Sequence, residues 1–349
     1  MTLDDLLAAV KSAHAAATPL RLRAGGSKDF YGTLLAGELL DVSAYRGIIA
    51  YEPSELYITV KGGTPLSVIE TALAEKGQML AFEPPTFTSA TAGGCLAAGL
   101  SGPRRQQAGA VRDFVLGVKL IDGRGQLLDF GGQVMKNVAG YDVSRLIAGS
   151  MGTLGLIAEV TFKVLPLPVA EQTRCFALSE SEAITKLNQW GGQPLPISGS
   201  FWHDGQLWLR LSGAQAAVDA ACTKLGGAVT VNAENHWKSI REQTHPAFNA
   251  PSLWRLALPS ATPALALEGL QAIEWGGALR WYAGEDSAFR ELASKAGGHA
   301  VLYRAPESLR LREGTFAPLP PPLLALHRRL KKSFDPQGIL NPGRMYAEL

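Results

Sequence analysis

Leu3, Leu6, Leu7 and Val10 recur at helical spacing, with Thr2 and Asp5 placed to cap them, and predict an amphipathic opening helix. Leu20 and Leu22 predict a short strand. Tyr57–Lys61 predicts another, followed by Gly62-Gly63 and a helix with Thr64 as N-cap, Pro65 at its first position and Leu66, Ile69 and Leu73 facing inward, stopped by Gly77. Between Phe114 and Phe130 two apolar runs flank Asp122-Gly123-Arg124-Gly125, the pattern of a hairpin. Tyr141 to Ala148 predicts a short helix with Val143, Leu146 and Ile147 inward. Ala158, Val160, Phe162 and Val164 then alternate with Glu159, Thr161 and Lys163, a strand buried on one face. Pro166 and Pro168 end it, which puts a boundary after residue 168.

Residues 169–317 change character. Short runs such as Leu207-Trp208-Leu209-Arg210-Leu211 predict an antiparallel sheet with helices on one side. Pro318 to Pro322 reads as an extended spacer. Residues 318–349 follow as a final helix and tail, with Leu323, Leu326, His327, Leu330 and Phe334 on one helix face. The other face, Arg328, Arg329, Lys331 and Lys332, is either solvated or a dock for an acidic partner. The fold class is α+β in two domains.

Composition narrows the function classes. In 349 residues, 46% are hydrophobic and 18% charged, enough for globular cores and too apolar for disorder. A net charge of +2 gives no electrostatic case for a nucleic-acid partner. Cys95, Cys175 and Cys222 are isolated, which fits a reducing compartment and offers no zinc or iron–sulfur ligand set, so no metal is expected. The acidic start Met1-Thr2-Leu3-Asp4-Asp5 is unlike a secretory signal, and no apolar run reaches the roughly 18–20 residues of a membrane span. A cytoplasmic protein is expected, touching a membrane only through other chains.

The candidate chemistry lies in four glycine-rich breaks attached to apolar runs: Arg23-Ala24-Gly25-Gly26-Ser27-Lys28, Thr91-Ala92-Gly93-Gly94, Gly99-Leu100-Ser101-Gly102, and Gly149 to Gly155. Glycine lets backbone come close to a ligand and adopt positive φ, and successive N–H groups can converge on phosphate oxygens. This reads as a dinucleotide site, for FAD. A Walker A loop is excluded because GxxxxGK[ST] does not occur, and no GxGxxG follows the first strand. The small-residue run Thr91–Gly99 suits close approach of a ligand, while its glycines count against a packed helix.

The order of these segments carries a resemblance. Arg23-Ala24-Gly25-Gly26-Ser27, then Pro84-Pro85 leading to Ala90-Thr91-Ala92-Gly93-Gly94, Lys136-Asn137-Val138-Ala139-Gly140-Tyr141-Asp142, Gly149-Ser150-Met151-Gly152-Thr153-Leu154-Gly155, and the closing Phe334-Asp335-Pro336-Gln337-Gly338-Ile339-Leu340-Asn341-Pro342-Gly343-Arg344 resemble the FAD-binding oxidases of the vanillyl-alcohol oxidase and p-cresol methylhydroxylase type. Within that group the chain is similar to the FAD-binding E subunits of bacterial glycolate oxidase (glycolate dehydrogenase).

The resemblance implies a two-lobed α/β FAD-binding domain over residues 1–168 and an antiparallel α+β cap over 169–317, with the tail returning to the flavin. It implies that Arg23, Ala24, Gly25, Gly26, Ser27 and Lys28 cradle the pyrophosphate. Pro84, Thr91, Gly93, Gly94, Ser101 and Gly102 would line the path to the ring, Gly140, Tyr141, Gly149, Gly152, Gly155 and Ile157 the adenine or flavin portions, and Asn341 the isoalloxazine edge. The first loop has no His or Cys, so FAD is expected to be non-covalent, with Cys95 a packing residue. Catalytic relatives use a histidine cluster to take the hydroxyl proton, since hydride leaves for the flavin only as that proton is removed. Here His203, His236 and His245 are the candidates by location, without an HxH or HxxxH spacing, and Arg241 and Arg255 could hold a carboxylate. The expected role is a subunit that works beside a larger catalytic flavoprotein and an iron–sulfur subunit, the complex acting on a small 2-hydroxy acid. A self-sufficient 2-hydroxy acid oxidoreductase and a structural subunit with a vestigial groove remain open.

Overall fold

The computed structural model describes residues 1–132 and 142–349; the expectations at Gly140 and Tyr141 lie outside the described residues. The opening helix Leu3–Ala16 has its capping box, Thr2 Oγ1 accepting from the Asp5 N–H and the Asp5 carboxylate from the Thr2 N–H. Such a cap stabilises a helix by about 1 kcal/mol. Leu6, Val10 and Ala13 pack against Leu20, Leu156 and the tail pair Ile339 and Leu340, so both ends of the chain share one core. Strand Leu20–Arg23 runs parallel to Glu38–Asp41, and Leu20 bridges Leu340 on its other side.

A five-stranded sheet follows in the order Ile48–Glu52, Tyr57–Lys61, Leu156–Lys163, Val115–Ile121, Leu127–Gly131, antiparallel throughout. The expected hairpin turns at Asp122, whose Oδ1 accepts from the Arg124 and Gln126 N–H groups. Leu156–Lys163 is central and buried along all but its last residue, not half-buried as its alternation predicts. Its polar positions are satisfied inside: Glu159 pairs with Lys119 at 3.0 Å, and Thr161 shares a 2.9 Å hydroxyl bond with Thr59. Helices Leu66–Ala74 and Ala92–Ala98 cover this sheet. Thr64 does not cap the first of them; its hydroxyl exchanges hydrogen bonds with the Gly47 backbone, and the cap position falls on Pro65. The small-residue run is helical despite its glycines, because Gly93 lies against the Gly62 backbone where a Cβ would come within 3.0 Å of the Gly62 oxygen.

The second sheet has eight strands, all antiparallel, in the order Ala228–Val229, Ala170–Ala177, Gln206–Gly213, Ile197–His203, Leu270–Glu274, Leu279–Ala283, Leu253–Ala257, His299–Arg304. Strand alternation divides its faces. Leu207, Leu209 and Leu211 pack under helices Glu180–Gly191 and Gln215–Leu225, and Trp254, Leu256 and Leu302 under Ala288–Lys295. The opposite face carries Phe201, Leu253, Trp281, Val301 and Tyr303, and meets Tyr31, Ala98, Leu100 and Met151 of the first half. Helix Ala233–Arg241 lies on this face through Trp237 and Ile240, so helices cover both sides rather than one. Each fully buried aliphatic or aromatic side chain contributes roughly 1.5–3 kcal/mol, so this seam is an integral core.

The last helix is Pro321–Phe334; Pro321 and Pro322 belong to its first turn rather than to a spacer, as proline's fixed φ permits there. Its expected apolar face is largely open, with Leu323 and Leu326 exposed, while Lys331 of its basic face is buried.

Candidate cofactor groove and a recess behind it

A cavity of about 840 Å³, its open mouth included, runs along the edge of the first half. Arg23 through Lys28 form one wall, Thr91, Gly93 and Gly94 the floor, and Gly152, Gly155 and Ile157 the far side, with Asn341 closing the end. Segments remote in sequence thus meet as one trough. The N–H groups of Gly25, Gly26, Ser27 and Lys28 have no acceptor among the described hydrogen bonds, although Asp29 donates back to Gly26. Consecutive free donors in a loop that lines a cavity are the makings of an anion-binding concavity. The start of helix Ala92–Ala98 does not add to it: Ala92, Gly93 and Gly94 donate to Thr64 O, Gly62 O and Thr91 Oγ1.

Charge around the trough suits a diphosphate. Lys28 lines it with Nζ 3.2 Å from Ser27 Oγ and over the Phe87 ring; burial lowers its pKa, opposed by Cys95 and Glu242. Among the described residues the one carboxylate on the wall is Asp29, which pairs with Arg23 at 2.9 Å. Glycines here serve two purposes. A Cβ on Gly94 would meet only Thr91 Oγ1, at 3.2 Å, so this position is kept clear for whatever fills the trough. A Cβ on Gly25 would fall 1.6 Å from Ser89 O, and one on Gly155 2.5 Å from the Leu120 side chain, so those glycines are required by the protein's own packing.

The remaining expected residues are distributed elsewhere. Ser101 and Gly102 line a second recess. Pro84 is buried and lines neither cavity, and Gly149, at φ 80°, donates to Leu96 O beneath helix Ala92–Ala98. Asn341 uses its side chain to join two walls, Oδ1 accepting from Leu22 N at 2.7 Å and Nδ2 donating to Met151 O at 2.7 Å. Cys95 is buried in the sheet–helix core, and burial pushes its thiol up to about 12, the behaviour of a packing residue.

Arg344 and Gly62 are among the groove residues that the motifs do not single out. Arg344 is buried, and its guanidinium donates to the carbonyls of Lys28, Asp29, Tyr31 and Leu34, fixing the curvature of the chain that leaves the Arg23–Lys28 loop; burial lowers its pKa to about 10. Its signal was the closing Asn-Pro-Gly-Arg. Gly62 lies under the floor, and its signal was a Gly-Gly pair behind a strand, as in the other breaks.

The three histidines, far apart in sequence, come together. His245 stands edge-on to His203 and His236, ring centroids 5.1 and 5.6 Å apart, around Phe201. His203 Nδ1 meets Gln271 O and His245 Nδ1 accepts from Ala247 N. Burial, then repulsion from the neighbouring imidazole, takes His236 and His245 down to about 4. They line neither cavity, and among the described residues no His/Cys/Asp/Glu group is disposed to hold a metal ion. Arg241 is tied to Glu70 and Glu242. Arg255 lies beside the Tyr31 hydroxyl, has no ion pair among the described residues, and lines the recess.

Similarity to known proteins agrees with this geometry. Residues 1–131 match the FAD binding domain model and residues 318–345 the C-terminal domain model of FAD linked oxidases. The chain is 49% identical over 348 residues to glycolate oxidase subunit GlcE of Escherichia coli K12, covering 99% of this chain and 97% of that one. Glycolate oxidase subunit GlcD of Bacillus subtilis is 32% identical over 126 residues, 36% of this chain and 27% of its own. The solved structure of p-cresol methylhydroxylase with substrate bound superposes with a TM-score of 0.74 at 16% identity, over 99% of this chain and 87% of that one. No described helix is long and apolar enough to cross a membrane. The chain belongs to the p-cresol methylhydroxylase-type family of FAD-dependent oxidoreductases and, within it, to the glycolate oxidase GlcE subunits.

Proposed function

We propose that this chain is the FAD-carrying subunit of a multi-subunit glycolate dehydrogenase, which oxidises glycolate to glyoxylate beside a larger catalytic flavoprotein and passes electrons on to an iron–sulfur partner. The observation that carries the reading is the row of four N–H groups from Gly25 to Lys28, without acceptors among the described hydrogen bonds, in a loop that lines a trough of about 840 Å³, its mouth included. The likeness to a glycolate oxidase subunit over 99% of the chain supports this choice of substrate and assembly. Bound non-covalently, FAD would provide a two-electron acceptor. Gly25 to Lys28 would hold its pyrophosphate, with Lys28 offsetting charge, and Gly93 and Gly94 would let its middle lie against the floor. Gly152, Gly155 and Ile157 would border its far portions, and Asn341 would keep the two walls in register.

Residues 1–168 would thus form the cofactor unit, 169–317 its cap and 318–349 the closure. The test is the flavin-to-polypeptide ratio of the purified chain and its thermal shift on adding FAD, followed by dye-linked glycolate turnover of the reconstituted complex with each subunit omitted. Absence of both flavin absorbance and FAD stabilisation would overturn the reading.

A further inference from the structure

The cap reaches the first wall of the trough through one carboxylate. Helix Ala233–Arg241 packs on the cap sheet through Trp237 and Ile240 and ends at Glu242. Glu242 Oε2 accepts from the Thr86 N–H at 3.0 Å, the Thr86 hydroxyl at 2.9 Å and the Phe87 N–H at 2.8 Å. Its Oε1 accepts from Arg241 Nε at 2.8 Å, and Arg241 also donates to Glu70 of helix Leu66–Ala74 at 3.0 Å. Negative charge is disfavoured at the C-terminal end of a helix, so the stability of its own helix does not account for Glu242. Its oxygens serve the segment Thr86–Ser89.

That segment is strained. Phe87 at φ 41° and Thr88 at φ 66° are consecutive left-handed residues, a conformation that bulky and β-branched side chains avoid unless their surroundings impose it. The Glu242 carboxylate takes both N–H groups at the entry to this turn, and the Phe87 ring stands edge-on to Phe30 at 5.8 Å against the inner core of the cap. The segment bears in turn on the Arg23–Lys28 loop. Ser89 Oγ donates to Gly25 O at 2.8 Å, and Lys28 Nζ lies over the Phe87 ring at 5.7 Å. The Gly25 carbonyl and the Gly26 N–H belong to one planar trans peptide, so a carbonyl held towards Ser89 holds that N–H in the opposite direction.

We propose that Glu242 is a positioning residue for the pyrophosphate of the dinucleotide, acting through Thr86–Ser89 as a brace. It lines no part of the trough; it holds the left-handed turn, and the turn sets the Gly25–Gly26 peptide and the place of the Lys28 ammonium. The cap thus tunes cofactor retention through a residue that does not touch the cofactor. The inference rests on the reading of the trough as an FAD site. Charge and geometry make opposite demands here. An anion near Lys28 works against a bound diphosphate, so by charge alone its removal would tighten binding, whereas loss of the brace weakens it.

The full chain, freed of flavin, is titrated with FAD by flavin fluorescence as the parent, Glu242→Ala, Glu242→Gln, Ser89→Ala and the double alanine variant. Urea unfolding confirms that each is folded, and amide exchange over residues 84–91 reads the brace directly. Glu242→Ala should bind FAD about tenfold more weakly and Ser89→Ala several-fold, while Glu242→Gln, which keeps an acceptor and drops the charge, should stay within about threefold of the parent. The double variant should be no weaker than Glu242→Ala alone, because both break one brace. Exchange over 84–91 should rise in Glu242→Ala and not in Glu242→Gln. FAD affinity unchanged or tightened in Glu242→Ala, or alanine losses that simply add, would overturn the proposal and leave the flavin reading standing. A parent chain that takes up no FAD would sink both. Should Glu242→Ala fail to fold, Ser89→Ala decides, since its side chain is exposed: unchanged FAD affinity there refutes the brace.

Discussion

Lys331 Nζ donates to the carbonyl oxygen of Thr153 at 2.8 Å, tying the last helix to the glycine loop on the far side of the groove. The same ammonium reaches Asp335 Oδ2 and Leu340 O, each at 2.7 Å, and Asp335 accepts from the Ile339 and Leu340 N–H groups. The closing segment is therefore a lock built on one buried cation and one buried anion. Removing one partner of such a pair leaves the other uncompensated, at about 3–5 kcal/mol. Lys331→Met should lower stability in urea by that order and reduce FAD retention, and adding Asp335→Asn should restore part of the stability. A Lys331→Met chain as stable as the parent would show that the lock carries no load.

Gly94 and Gly25 separate cofactor clearance from self-packing. At Gly94 a methyl meets only a flexible hydroxyl, and alanine improves helix propensity by up to about 1 kcal/mol. Gly94→Ala should leave the FAD-free melting temperature unchanged or raised while weakening FAD binding about tenfold or more, with Gly94→Val worse. Gly25→Ala should destabilise the FAD-free chain itself, because its methyl would overlap the Ser89 carbonyl. Equal melting losses for Gly94→Ala and Gly25→Ala would refute the distinction.

This division explains what the sequence could and could not reveal. Three of the four breaks are legible as turns because glycine clusters interrupt apolar runs; the other, Thr91 to Gly94, opens a helix instead. Which glycines serve a ligand is not legible, since Ser89 O, Ile157 O, Glu83 O and Leu120 are brought to Gly25, Gly62, Gly102 and Gly155 only by tertiary folding. Likewise Lys331 and Arg344 look like surface cations in sequence and are buried because backbone carbonyls from distant turns receive them. The alternation of residues 158–164 marks a strand correctly, yet it cannot show that Lys119 and Thr59 from neighbouring strands cover its polar face.

Two opposing titrations shape the acid side of the stability curve. Glu274 has a folded pKa near 7 against an ordinary 4.5, so the folded state keeps a proton the unfolded state has lost, and stability falls as pH rises through that window. At 1.36 kcal/mol per pH unit the full swing is about 3 kcal/mol. His236 and His245, near 4 against an ordinary 6.5, act the other way: the unfolded state binds their protons first, so stability is lost as pH falls from 6.5 towards 4. Two histidines act against one glutamate, so the parent should lose stability as pH falls from 6.5 to 4.5. Glu274→Gln should gain stability at pH 7.5 and fall steeply on acidification, in urea unfolding at four pH values. Parallel curves for parent and variant would refute the Glu274 assignment.

Glu83 holds the two halves together across their seam. Its Oε2 accepts from the Arg104 N–H at 2.8 Å and from Arg210 Nη2 at 2.9 Å, and its Oε1 from Arg104 Nε at 3.2 Å, with both arginine side chains almost wholly buried. Burial alone would raise its pKa, but Arg210 and then Arg104 outweigh that and hold it below the ordinary 4.5. Its contribution is therefore present above pH 4.5 and is lost as pH falls through the lowered folded value. Glu83→Gln removes the charge while keeping the shape, leaving two buried guanidinium groups with only Glu171, and should cost about 3–5 kcal/mol at pH 7. Glu171→Gln, at a carboxylate 36% exposed, should cost less, since solvent screens it. If the two glutamine variants unfold at the same urea concentration, or Glu83→Gln is neutral, the seam is held by its apolar contacts alone.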